Sequence, residues 1–205
     1  MAVALLAIGA LAGATGFLVT DALERRNDFC NACHLPDGTP LHIAIRQDFD
    51  ARPPRTLAAA HAAEASPGSG GFRCIDCHGG AGPVERVWVK ALAARDALVY
   101  VLGHFEEPDG MRFPLSDGLC RSCHPRFDHE AEAVEREAEA AEPEEEAVAS
   151  GQPFHALPVH NRALGVRCVA CHRAHDPGDP ALDFLDPATV RPLCADCHPE
   201  FGGPW

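Results

Sequence analysis

Cys30-Asn31-Ala32-Cys33-His34 opens a series of five pentapeptides of one form, Cys-x-x-Cys-His, and that series decides the fold. The others are Cys74-Ile75-Asp76-Cys77-His78, Cys120-Arg121-Ser122-Cys123-His124, Cys168-Val169-Ala170-Cys171-His172 and Cys194-Ala195-Asp196-Cys197-His198. Together they use all 10 cysteines. Two intervening residues make about one helical turn, so both sulfurs face one edge of a porphyrin while the next side chain reaches its metal. The pattern predicts c-type haem attachment, with thioethers from each cysteine pair and iron ligation by His34, His78, His124, His172 and His198. Zinc takes four ligands, so zinc-binding pairs come in twos, and five is odd. Neither zinc nor a disulfide framework requires a histidine straight after every second cysteine.

The remaining donors set the expected ligation. Of 12 histidines, seven lie outside the motifs: His42, His61, His104, His129, His155, His160 and His175. There are 2 methionines, Met1 and Met111. Sixth ligands are therefore expected to be mostly histidine, which favours low-potential electron carriers, since an axial methionine raises the potential. Five sites need at most five distal ligands, so at least two of the seven are expected to be solvated or hydrogen-bonded side chains.

With 205 residues for five motifs, the chain has 41 residues per motif, too few for separate folded cores. The fold class expected is a multihaem cytochrome c, mainly short α-helices and loops wrapped around a haem array, with one N-terminal transmembrane helix. The 18 glycines and 18 prolines fit loop-rich wrapping. A formal charge of −13 argues against a nucleic-acid partner. Covalent haem attachment implies a folded portion outside the cytoplasm.

Residues Met1 to Thr20 carry no charged side chain. A bilayer-spanning helix needs about 20 residues, so the run reaches far enough. A cleaved signal peptide is the competing reading, because Ala10-Leu11-Ala12 has the small-x-small form of a cleavage site. The absence of a basic segment before the run favours an uncleaved anchor, although Arg25 and Arg26 then fall on the periplasmic side, against the positive-inside tendency. Gly9 and Gly13 form a lone G-x-x-x-G. The domain expectation is an anchor at 1–21, a haem domain at 22–128 with the first three motifs, an acidic linker or helix at 129–149, and a second haem domain at 150–205. An amphipathic helix is expected at 84–103, with Pro83 before it, Gly103 closing it, and apolar Val84, Val87, Trp88, Ala91, Leu92, Leu98, Val99 and Leu102 at helical spacing.

The order of these features resembles the NapC/NirT family of membrane-anchored quinol dehydrogenases. The resemblance rests on Gly9, Gly13 and Phe17 in the anchor, then Asn27-Asp28-Phe29 leading into the first motif, then His61 upstream of the second. It continues through Lys90, Asp96 and Gly103 and the third motif to Gly165-Val166-Arg167 and the fourth motif, with His175 three residues past it. It covers about residues 5–176.

The resemblance implies roles. His175 would be the sixth ligand of the second haem, His61 that of the fourth, and His160 or His155 that of the third, with His160 preferred. Lys90 and Asp96 would form a quinol site beside the first haem. Six residues apart on a helix, they stand about 120° around it and make no simple surface pair. Two departures stand out. Family members often carry a methionine two residues after the first motif; here that position is Pro36, so the first haem is left with His34 and Asp96, His42 or an open position. The fifth motif lies outside the four-haem pattern and reads as an added exit haem, with His129 and His104 as candidate sixth ligands. The function implied is that of a periplasmic haem domain on a single N-terminal inner-membrane span, which passes electrons from menaquinol or ubiquinol through five covalently bound haem c groups to a periplasmic redox protein or reductase. The alternative is a haem subunit that works with other membrane subunits and has no quinol site of its own. No terminal reductase activity is expected, since bis-histidine ligation leaves no substrate position.

Overall fold

The computed structural model describes residues 1–64, 71–103, 105–106, 110, 113–124, 155, 160 and 164–202. His104, Met111, His129 and the whole acidic run at 129–149 lie outside the described residues. Among the described residues there are helices, turns and isolated bridges but no named strand. The chain falls into two compact units, Met1–Leu115 with Arg173–Asp186, and Ser116–His172 with Pro187–Trp205.

The first unit begins with α1, Ala2–Glu24, none of whose residues is buried. Its mean hydropathy reaches 2.2, and 23 residues at about 1.5 Å each exceed the roughly 30 Å of a bilayer core. A membrane span and a signal sequence both have this length and composition. Asp21 and Glu24 end the apolar segment. A 3-10 turn, Asn27–Asn31, then carries Cys30. Helices α2 (Ile43–Asp50) and α3 (Leu57–Glu64) pack together, and α4 (Cys74–His78) is the second pentapeptide itself. Helix α5 runs Pro83–Val101. Pro83 is its first residue, where a missing N–H costs nothing, and Gly103 adopts φ +75° just past its end.

The buried apolar residues among those described are Leu41, Phe49, Ala58, Ala59 and Ala60. Thr56 holds the α2–α3 corner: its hydroxyl donates to Asp48 (2.7 Å) and accepts from the Ala59 N–H (3.2 Å). The returning segment Arg173–Asp186 is stitched to the same corner, Ala58 N–H donating to the Ala174 carbonyl (2.8 Å) and Gly178 N–H to that of Arg55 (3.1 Å). A Cβ at Gly178 would collide with the Phe184 carbonyl, so only glycine lets this loop close.

The second unit holds α6 (Asp117–Cys123), α7 (Cys168–Cys171) and α8 (Pro187–Ala195), followed by a 3-10 turn, Pro199–Gly202. These three helices carry the cysteines of the last three pentapeptides, apart from Cys197, which lies in the turn two residues past the end of α8.

Candidate functional site

The second to fifth pentapeptides each occupy about one helical turn, as their spacing requires, while in the first only Cys30 and Asn31 lie in a 3-10 turn. In the last three, the histidine N–H returns to the carbonyl of the first cysteine: His124 to Cys120 (2.9 Å), His172 to Cys168 (2.9 Å) and His198 to Cys194 (2.8 Å). The same turn thus fixes two sulfurs and one imidazole three times over.

Among the described residues, His78, His172 and His198 each face a second imidazole. His78 stacks opposite His175 with ring centroids 6.1 Å apart and planes within 15°. His172 stacks opposite His155 at 5.9 Å and 13°. His198 lies opposite His160 at 5.9 Å and 49°. An imidazole nitrogen binds a first-row transition metal at about 2 Å, and the ring centre lies roughly 1 Å further out. Two imidazoles on opposite sides of one metal therefore have centroids about 6 Å apart. The observed spacings fit an iron between each pair, and the cysteine pair on the adjoining turn fits its porphyrin. Burial, with lesser contributions from His175 and His42, pushes His78 down to about 4. Burial likewise lowers His175, with Asp48 and Asp176 opposing it. At both rings burial favours the neutral form, the one that ligates a metal.

Chain return explains the first pair: the stitching of Ala174 to α3 brings the next residue, His175, onto the first unit. The resemblance assigned His61 to the fourth motif and His160 to the third. In the structure the imidazole opposite His172 is His155, and the one opposite His198 is His160. His61 sits on α3, its Nδ1 2.8 Å from the Leu57 carbonyl and its ring 5.0 Å from Phe72. His42 caps α2 in a left-handed conformation and lies close enough to His78 and His175 to influence both. His34 is tied through its backbone, its N–H donating to the Tyr100 hydroxyl (3.0 Å) and its carbonyl accepting from it (2.8 Å).

The attachment turns are also braced against one another. Asn27 Oδ1 accepts the Cys74 N–H (2.9 Å), and Asp117 Oδ1 accepts the Cys168 N–H (3.1 Å). Asn27 stands three residues before Cys30, and Asp117 three before Cys120. The same device joins the first motif to the second and the third to the fourth. The cysteines follow suit: the Cys30 thiol is pushed up first by its hydrogen bond with Cys74 and then by burial. Cys168 is pushed up to about 11 by burial and then by Asp117 and Cys120, and Cys171 is raised by burial and by Cys194. Sequence reasoning missed both braces, and it offered His155 only as the second choice for the third motif. The shared three-residue offset was the signal for the braces.

Lys90 and Asp96 are not brought together. Lys90, 10% exposed, donates to Glu24 (2.7 Å) and Thr20 (3.0 Å) and lies 5.2 Å from the Phe17 ring centre. Arg86 grips Asp21 and Glu24 beside it. Asp96, half exposed, pairs with Arg95 (2.8 Å). Glu24 was not foreseen, because a glutamate ending an apolar run reads as its solvated boundary.

A protein-family profile described as a doubled CXXCH motif matches residues 158–203, which contain the fourth and fifth pentapeptides. No curated protein and no solved structure matches the chain. The doubled motif implies covalently bound haem c, and the motifs as a set indicate a multihaem c-type cytochrome of electron transfer.

Proposed function

We propose that this is a membrane-anchored pentahaem cytochrome that takes electrons from membrane quinol and relays them to a periplasmic partner. The observation that carries the relay is the facing of His78 with His175, His172 with His155 and His198 with His160. Imidazoles on both sides of a metal leave no position for a substrate and keep the coordination unchanged between oxidation states. Haem c supplies one-electron chemistry when bound; Cys30/Cys33, Cys74/Cys77, Cys120/Cys123, Cys168/Cys171 and Cys194/Cys197 would hold it. The small buried core among the described residues supports a chain wrapped on its cofactors.

The entry point rests on α5. One end of that helix grips the end of α1 through Arg86 and Lys90, and the other grips the first motif through Tyr100. A quinol leaving the apolar layer would meet Lys90, which can orient its oxygen, with Glu24 beside it on α1 as a proton-accepting carboxylate and Asp96 further along α5 as a second. Oxidation of a quinol releases two protons with two electrons, so such groups are needed beside the acceptor.

The test uses the haem-loaded chain in detergent. A quinol analogue should reduce it directly, and Lys90→Ala should slow that reaction by about 10²-fold or more while reduction by dithionite stays fast. No reaction with the analogue in the unsubstituted chain would move the protein to the class of haem subunits fed by another protein.

A further inference from the structure

We propose that α5 is an interfacial helix whose outward face lies in the lipid headgroup layer. This rests on the reading of α1 as a membrane span. The helix is amphipathic in the inverted sense. Val84, Val87, Trp88, Leu98, Val101 and Leu102 are between 56% and 82% exposed. At about 100° per residue, all but Val101 fall within an arc of roughly 100°, and Val101 lies about 40° outside it. Arg95 is the one charged residue of α5 in that arc. Arg86, Lys90, Asp96 and Tyr100 lie on the other side, which turns toward α1 and the first motif.

Such a stripe, left open to water, is unusual for a soluble surface and marks a contact. Three observations choose lipid as the occupant. Arg86 and Lys90 bind Asp21, Glu24 and Thr20, the last turn of α1, which sits at headgroup level when the preceding apolar run spans. Trp88 meets Phe113 edge to face at 6.3 Å, forming an aromatic pair at the rim of the stripe, and tryptophan favours the membrane–water boundary. Arg95 has a long stem that can lie along lipid while its head reaches Asp96 and water, as interfacial arginines do. The first motif touches α5 through Tyr100, on the inward side, so its porphyrin need not cover the stripe.

Photocrosslinking decides the matter. The full haem-loaded chain, carrying p-benzoylphenylalanine in place of one residue, is irradiated in phosphatidylcholine–phosphatidylglycerol vesicles and its adducts are identified by mass spectrometry. Probes replacing Val87 or Leu98 should give phospholipid adducts, and probes replacing the half-buried Val89 or Val99 should not. A probe replacing Leu11 reports on α1 separately. Lipid adducts at Leu11 with peptide, haem or second-copy adducts at Val87 and Leu98 would overturn the interfacial face and leave the anchor standing. Absence of lipid adducts at Leu11 would remove the anchor and this proposal with it. Any probe that disturbs the visible haem spectrum is replaced by one at Trp88 or Val101, for which the same outcomes decide.

Discussion

His155 and His160 lie five residues apart, yet they face different motifs, His172 and His198. If each closes one iron, each substitution costs a different haem its sixth ligand. His155→Ala and His160→Ala should therefore each convert one low-spin haem to high spin, and the double variant should convert two, counted by near-infrared magnetic circular dichroism. An unchanged low-spin count in His155→Ala would remove that residue as a ligand and return the fourth motif to His61. His175→Ala should behave as the third member of the set, since its half-buried ring, whose protonation burial disfavours, lies opposite His78. The sequence counts the histidines outside the motifs and places one histidine in each motif. It could not pair them, because facing is a matter of which distant elements meet, and His175 reaches His78 only through the backbone stitching of Ala174 to α3.

At the scale of elements, the repeated brace is the feature with consequences. Asn27 and Asp117 each satisfy an N–H at the start of the next attachment helix, a group that would otherwise lack a helical partner. Loss of such a cap typically costs about 1 kcal/mol, and here it also loosens the register between two porphyrin sites. Asn27→Ala and Asp117→Ala should weaken the Soret circular dichroism couplet that reports haem–haem orientation. Asn27→Asp and Asp117→Asn keep an accepting oxygen and should restore it. If the alanine variants keep the couplet, the braces are local caps with no part in spacing the sites. Helix α5 teaches the complementary lesson about reading elements from sequence. Its period, its opening proline and its closing glycine were legible in the chain. Its orientation was not: a stripe of Val84, Val87, Trp88 and Leu98 normally points into a core, and here the polar partners at the end of α1 turn it outward.

At the scale of the whole molecule, the balance between polypeptide and cofactor governs folding. Among the described residues the buried apolar set comprises only two large side chains, Leu41 and Phe49, with Ala58, Ala59 and Ala60. A core this small does not offset the conformational entropy of ordering a chain, which is why small or open folds need covalent staples or bound groups. Haem attachment would supply both at each Cys-x-x-Cys-His motif that carries it. The chain produced without haem maturation should accordingly show no cooperative calorimetric transition, and the matured chain should show one. Acidic organic extraction breaks axial ligation but not thioethers, so five haems per matured chain should survive it in a pyridine haemochrome assay. A count of four or fewer would sink the five-haem reading. The first motif would then be the place to look, because only Cys30 and Asn31 of it lie in a 3-10 turn and its histidine is held through the backbone by Tyr100. A cooperative transition in the unmatured chain would show instead that the polypeptide carries its own core and that the haems are added to a finished fold.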